Sequence, residues 1–182
     1  MDGFMSTHEI ICAGFGGQGI LFLGKMLALA GMKEGKEVSW IPSYGPEMRG
    51  GTANCSVVVS DQKIGSPVVY HPSILVAMNR PSLEKFENDL KPNGVLLYNK
   101  TLIEIEPKRK DVKIFPVNVT SIARELGNVK LANVVALGAL IKATGLIKKD
   151  SAIAALKYEL TGKKAALLDI NFKALEAGEN SV

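Results

Sequence analysis

The sequence predicts an α/β fold with a Rossmann-like core, in which a mostly parallel sheet is flanked by helices and the C-terminal third is helical. Three observations support this prediction. A glycine-rich turn separates a short apolar segment from a helical pattern, strand-like segments recur up to residue 117, and helical patterns dominate from Val119 onward. A length of 182 residues is typical of one domain, so we expect residues 1–182 to form a single domain.

The first predicted unit is a strand, a turn and a helix. Apolar residues 9–13 run into the glycine-rich turn of residues 14–19, and a helical pattern continues from there to about Gly35. Residues 37–41 then return to β-type side chains. We therefore predict a βαβ unit whose second strand is the parallel neighbour of the first.

The next segment combines a loop with strand-like patterns. Residues 42–52 contain two prolines and three glycines, which predicts a long loop. Apolar side chains then alternate at Ala53, Cys55, Val57 and Val59, and a second short segment spans residues 64–70. This spacing favours a hairpin between the two segments.

The remaining elements follow in a regular order. We predict strands at residues 73–78, 95–98 and 113–117, and a helix from Arg80 to about Leu90 with Pro81 or Ser82 at its start. Later helices are expected at residues 121–126, 133–144, 149–160 and 164–177, with Gly127, Gly145 and Gly162 between them.

The composition limits the classes of partner. The net charge is +4 and the longest basic run is only Lys108, Arg109 and Lys110, which indicates acidic small-molecule or protein partners and no nucleic acid. Two cysteines cannot supply an iron–sulfur cluster or a cysteine-rich zinc site, so we expect no metal. The apolar residues 131–141 are too few to cross a bilayer and no secretion signal is evident, which predicts a cytoplasmic protein that does not enter the membrane.

The glycine turn is the first candidate binding site. Gly14, Gly16 and Gly19 have the spacing of a dinucleotide fingerprint, with Gly17 and Gln18 between them, and such a turn presents N–H groups to an anion. The alternative is that the glycines only permit a tight turn. Ordinary NAD binding is disfavoured because residues 41–43 offer no acidic side chain for the ribose.

The loop after the second predicted strand is the other candidate site. Its permissive backbone carries side chains suited to a carboxylate or phosphate, and the proposed anion-binding residues are Ser43, Tyr44, Glu47, Arg49, Gly50 and Gly51. The alternative is an ion pair between Glu47 and Arg49 that stiffens the loop. Because both loops follow strands, we expect them to meet at the carboxyl edge of the sheet.

Both loops together resemble the gamma subunit of the 2-oxoacid:ferredoxin oxidoreductases. Residues 14–19 and 44–51 are similar to the two glycine signatures of that family, and the resemblance extends to residues 136–138 and 171–178. In this family the complex oxidatively decarboxylates a 2-oxoacid on thiamine diphosphate, reduces ferredoxin through iron–sulfur clusters, and transfers the acyl group to coenzyme A.

The resemblance implies a subunit with no catalytic residue of its own. It would assist coenzyme A handling and assembly with alpha and beta subunits, with a ferredoxin-like delta subunit as a further candidate partner. Thiamine diphosphate and the clusters would lie on those other subunits. The Pro-Glu-Met-Arg-Gly-Gly form of residues 46–51 is closer to the 2-oxoglutarate and branched-chain types than to the pyruvate type. Two alternatives stay open: a stand-alone nucleotide-binding oxidoreductase and a non-catalytic scaffold.

Overall fold

The computed structural model describes residues 6–43 and 52–182, and these residues form one mixed sheet covered by helices. Within the described ranges the sheet has six strands in the order β2-β3-β1-β4-β5-β6. The strands are β1 (Thr7–Phe15), β2 (Glu37–Ser43), β3 (Thr52–Ser60), β4 (Ile74–Ala77), β5 (Val95–Asn99) and β6 (Lys113–Val117). The helices are α1 (Ile20–Lys33), α2 (Arg80–Phe86), α3 (Val119–Glu125), α4 (Ala132–Thr144), α5 (Lys149–Glu159) and α6 (Leu168–Glu179).

Strand direction confirms the mostly parallel sheet. β1 pairs in parallel with β4, β4 with β5, and β5 with β6. β3 is antiparallel to both β1 and β2, so β2 runs in the same direction as β1. Of the described strands, only β3 runs against the others.

Two sequence predictions about pairing are wrong. β2 is not the neighbour of β1, because β3 lies between them and pairs with each along most of its length. The predicted hairpin between residues 53–60 and 64–70 is also absent from the described chain, since residues 61–73 contain no strand. β3 already pairs on both edges, which leaves no free edge for residues 64–70.

The helices divide between the two faces of the sheet. Apolar side chains of α1, α3, α4, α5 and α6 join one buried cluster, whereas Leu83 of α2 belongs to the cluster on the opposite face. α1 follows β1 and α2 follows β4, so the helices after these two neighbouring strands leave on opposite faces. Such a switch point opens a crevice at the carboxyl edge, which is where α/β sheets bind ligands.

Helix boundaries depart from the prediction at two places. α2 begins at Arg80 with Pro81 in its first turn, as predicted, but it ends at Phe86 and not near Leu90; its cap is Asn79, whose side-chain oxygen accepts a hydrogen bond of 2.8 Å from the Ser82 N–H. α2 continues as a 3₁₀ turn at Glu87–Asp89. α6 begins at Leu168 because residues 162–167 also adopt a 3₁₀ helix.

α4 and α6 pack through glycines, and theirs is the most extensive helix–helix contact among the described residues. A Cβ on Gly138 would overlap the carbonyl oxygen of Leu175, and one on Gly178 would overlap that of Val135. Both obstacles are backbone atoms, which cannot rotate away. The resemblance noted at residues 136–138 and 171–178 therefore coincides with a helix crossing that only glycine permits. In the described ranges no helix is both long enough and apolar enough to cross a membrane.

Candidate functional site

The glycine turn lies at the carboxyl edge of the sheet, between the end of β1 and the start of α1. Gly17 and Gly19 have φ values of +90° and +72°, a region that side chains with a Cβ rarely adopt. Gly14 is needed for a different reason: a Cβ there would lie 2.6 Å from Gln18 Oε1 and 2.9 Å from Met78 Cβ. The spacing of glycines in the sequence is thus explained by backbone conformation and by close packing.

Gln18 connects the turn to the neighbouring strand. Its side-chain oxygen accepts a hydrogen bond of 2.6 Å from the Phe15 N–H, and its side-chain nitrogen donates to the Met78 carbonyl over 3.3 Å. Met78 directly follows β4. The glutamine side chain therefore spans the crevice between β1 and β4 and holds the turn in place.

A second amide continues this network toward β5 and α3. Asn99 Nδ2 donates to the Met78 carbonyl over 3.3 Å and to Thr120 Oγ1 over 2.8 Å. Asn99 is fully buried, and Thr120 is only 4% exposed. The carboxyl ends of β1, β4 and β5 and the first turn of α3 are thus joined by hydrogen bonds through Gln18, Met78 and Asn99. Two neighbouring polar atoms, Asn79 Nδ2 and Asn99 Oδ1, are buried without a hydrogen-bond partner among the described residues.

The amino-terminal ends of two long helices meet at this edge. α1 begins next to Gly19, and α4 begins at Ala132. Asn133 Nδ2 donates to the Gly19 carbonyl over 3.3 Å, which brings the two helix starts together. Since the aligned peptide dipoles of a helix give its start a partial positive charge, this edge favours negatively charged ligands.

Two cavities flank the turn, and they differ in character. One, of about 250 Å³, is mainly apolar and includes Phe15, Leu21, Phe22 and Ala53. The other, of about 200 Å³, lies on the α3 side and carries the cations Arg124 and Lys130, with Thr120, Leu102 and Val129. A larger cavity of about 380 Å³ lies at the opposite edge, beside His8 and Lys113, and has no contact with the turn.

The structure brings part of the predicted site together. Gly14, Gly16, Gly17, Gln18 and Gly19 form the turn, and Ser43 ends at the same edge because β1 and β2 run in the same direction. Phe15 pairs with Thr52 and Ser43 with Asn54, so the start of β3 lies between the turn and the end of β2. The other predicted residues lie outside the described ranges: Tyr44, Glu47, Arg49, Gly50 and Gly51.

The described residues contain no group of three or more His, Cys, Asp or Glu side chains that could hold a metal ion. Cys12 and Cys55 are both free and buried. A hydrogen bond with Cys55, together with burial, raises the pKa of Cys12 well above its ordinary value, which makes it an unreactive thiol. Burial is also the main cause that lowers the pKa of His8.

Comparison with known proteins identifies a family. The family model described as pyruvate ferredoxin/flavodoxin oxidoreductase matches residues 9–181, which is nearly the whole chain. The ketoisovalerate oxidoreductase subunit VorA of Methanothermobacter thermautotrophicus is 43% identical over 168 residues, which are 91% of this chain and 34% of VorA. The chain therefore spans about a third of the length of that relative.

Solved structures share the fold. The gamma subunit of a keto/oxoacid ferredoxin oxidoreductase from Geobacter sulfurreducens is 31% identical with a TM-score of 0.83, and the match covers 96% of this chain and 97% of that subunit. The 2-oxoglutarate:ferredoxin oxidoreductase from Magnetococcus marinus, with 2-oxoglutarate, coenzyme A and succinyl-CoA bound, is 26% identical with a TM-score of 0.87. That match covers 96% of this chain and 31% of the longer one.

Proposed function

The chain belongs to the pyruvate ferredoxin/flavodoxin oxidoreductase family, and on this premise we propose that it is the gamma subunit of a 2-oxoacid:ferredoxin oxidoreductase. The observation that carries the proposal is the match to a separate gamma subunit over almost the full length of both chains. The complex would convert a 2-oxoacid to an acyl-CoA and reduce ferredoxin. This chain would assist coenzyme A handling and assembly.

The carboxyl edge of the sheet is the part of the chain that we assign to coenzyme A handling. Coenzyme A carries phosphates, and the described residues offer what a phosphate needs: a glycine turn that permits close approach, two helix starts, and the cations Arg124 and Lys130. The chain's task would be to bind and orient the ligand. The coenzyme itself supplies the thiol that accepts the acyl group.

Exposed apolar side chains at the same edge support a role in assembly. Phe15 is 43% exposed, Leu102 41% and Val129 51%, and all three line the cavities beside the turn. Large apolar side chains grouped on a surface are typical of protein interfaces. We propose that alpha and beta subunits contact this edge, with a ferredoxin-like delta subunit as a further partner.

Thiamine diphosphate and iron–sulfur clusters would lie on those other subunits. The sequence has only two cysteines, fewer than a cluster needs, and both are buried. Free thiols are also compatible with a reducing cytoplasm. The substrate we favour is 2-oxoglutarate or a branched-chain 2-oxoacid, which agrees with the names of the ketoisovalerate and 2-oxoglutarate relatives.

Purification of the native complex tests this proposal. A tag on this chain should recover thiamine- and cluster-bearing polypeptides, and the recovered complex should oxidise 2-oxoglutarate or 2-oxoisovalerate faster than pyruvate. Recovery of the chain alone would favour the stand-alone nucleotide-binding protein or the scaffold. Ligand-induced stabilisation separates these two, since a nucleotide at about 100 times its dissociation constant adds roughly 2.7 kcal/mol to the free energy of unfolding.

A further inference from the structure

One face of α1 is apolar although the rest of the chain does not bury it. Of the 14 residues of this helix, eight are buried against the sheet and the other helices. The remaining six are called the outer face of α1: Leu21, Phe22, Lys25, Leu29, Met32 and Lys33. At about 3.6 residues per turn they lie within about one third of the helix circumference. The outward side of a surface helix is normally polar, whereas four of these six side chains are large and apolar.

Two cavities lie along the outer face of α1. One, of about 220 Å³ near the end of the helix, is formed by Leu29, Met32 and Lys33 with Tyr158 of α5. The other, of about 180 Å³ near the start of the helix, includes Phe22 and Leu167. Both are smaller than the roughly 300–1,000 Å³ typical of pockets that enclose a small-molecule ligand. They fit single apolar side chains of a polypeptide better than a whole ligand.

The walls of the first cavity are held in place but remain open to solvent. Met32 is 58% exposed and Tyr158 is 63% exposed. Lys33 Nζ lies 5.2 Å from the centre of the Tyr158 ring, and Lys25 Nζ pairs with Glu159 over 2.8 Å. These two contacts connect α1 to α5 on either side of the cavity. Exposed methionine and tyrosine side chains on a fixed surface are typical of the core of a protein interface.

The charge of this surface restricts the partner. α1 contains no aspartate or glutamate, and the carboxylate of Glu159 is already paired with Lys25. Lys33 has the Tyr158 ring but no carboxylate as a partner among the described residues. The 3₁₀ helix at Gly162–Leu167 adds two exposed lysines, Lys163 and Lys164. Two copies of such a surface would repel each other, whereas an acidic partner would be attracted.

We infer that the outer face of α1, with Tyr158 and Leu167 beside it, is a docking surface for an acidic, amphipathic segment of a partner polypeptide. Apolar side chains of that segment would enter the two cavities, and its carboxylates would pair with the free lysines. Met32 is 13 residues beyond Gly19, roughly 20 Å along the helix, so this surface extends well away from the carboxyl edge where we place the ligand. That the partner belongs to the oxidoreductase complex rests on the proposed function.

Thiol labelling of the assembled complex tests the inference. The sequence has only two cysteines and both are buried, so Met32→Cys gives the chain a single exposed thiol. We expect maleimide to label this thiol about tenfold or more slowly in the complex than in the free chain, because the core of an interface excludes water. Tyr70→Cys is the matched control. Tyr70 is also exposed, but its neighbour Val69 packs on the opposite face of the sheet, so we expect equal labelling in both states.

Charge reversal tests the acidic character of the partner. Lys33→Glu should speed the labelling of Met32→Cys in the complex, because like charges would then face each other. Lys63→Glu, at an exposed position away from α1, should leave the labelling rate unchanged. A cross-linker attached to Met32→Cys should join a partner segment that has apolar residues and more Asp and Glu than Lys and Arg.

Three results would overturn the inference. The first is equal labelling of Met32→Cys in the free chain and in a complex that contains thiamine- and cluster-bearing polypeptides, and this result would leave the proposed function intact. The second is equal protection of Tyr70→Cys, and the third is cross-linking to a basic segment or to a second copy of this chain. Recovery of the chain with no partner would contradict the proposed function as well as this inference.

Discussion

Asn133 donates a hydrogen bond of 3.3 Å from its side-chain amide to the carbonyl oxygen of Gly19, and this contact joins the start of α4 to the start of α1. The same asparagine accepts a hydrogen bond from the Val134 N–H through its side-chain oxygen. It is only 8% exposed. One buried amide thus connects two helices whose starts lie more than a hundred residues apart in sequence, at the edge where we place the binding site.

The first prediction tests this contact. Gly19→Ala should destabilise the chain by about 1–2 kcal/mol because residue 19 adopts the left-handed conformation. A further loss of about 0.5–1.5 kcal/mol is expected because the new Cβ would displace the Asn133 amide from its hydrogen bond with the Gly19 carbonyl. Gly17→Ala is the control, since φ is also positive there but no atom lies within 4 Å of a Cβ. Urea denaturation measures the free energy of unfolding of both variants. Equal losses at the two positions would show that the Asn133 contact has no steric consequence.

The second prediction concerns the crossing of α4 and α6. Gly178→Ala places a Cβ against the Val135 carbonyl, so the helices must separate, and we expect a loss of about 3 kcal/mol or more in the free energy of unfolding. Gly65→Ala is the control: it is exposed, with open space around it, and should change stability by less than about 1 kcal/mol. A small effect of Gly178→Ala would mean that the two helices are free to move apart.

The third prediction is a dependence of stability on pH. Burial, followed by the positive charge of Lys36, lowers the pKa of His8 in the folded chain. The unfolded chain therefore binds more protons as the pH falls through about 6.5, and stability decreases there. His8→Gln should reduce the loss of stability between about pH 7.5 and 5.5, and His71→Gln, at an exposed position, is the matched control. If His8→Gln loses as much stability as the unmodified chain over this pH range, His8 is not the source of the pH dependence.

The fourth prediction concerns Arg49, which lies outside the described residues. If its guanidinium binds an anionic group of coenzyme A or holds the loop against a partner, Arg49→Ala should weaken coenzyme A affinity or turnover about ten- to a hundredfold in the assembled complex. Arg49→Lys should restore only part of this loss. Steady-state kinetics at varied coenzyme A measures the effect, and unchanged assembly and kinetics would support the alternative of a structural loop.

Local patterns in the sequence were sufficient to predict the position and type of most helices and strands. The strand at Lys113–Val117 has the predicted bounds, and that at Val95–Asn99 differs by one residue, because each is a short β-type segment with turn residues before it. The glycine turn was predicted from its spacing and its position between a strand and a helix. In these cases neighbouring residues alone determine the structure.

Strand pairing and the cationic cavity depend on contacts that no local pattern records. β3 could pair with β2 or with residues 64–70, and the alternation of its side chains is the same in either arrangement. Which segment pairs with β3 is therefore decided by contacts between segments and not by the local pattern. Arg124 and Lys130 reach the glycine turn only because α3 and α4 begin at the same edge as α1. Their positions are typical of solvent-exposed helix and turn cations, so the sequence offered no reason to select them.

The central claim is that this chain is a necessary but non-catalytic subunit of a 2-oxoacid:ferredoxin oxidoreductase. The most direct measurement is reduction of ferredoxin or a viologen dye with 2-oxoacid, thiamine diphosphate and coenzyme A, using partner subunits purified from a strain that lacks this chain. We expect no reduction by the chain alone, and coenzyme A-dependent reduction by the partners only after the chain is added back. Dye reduction by the chain alone, or full activity of the partners without it, would contradict the claim.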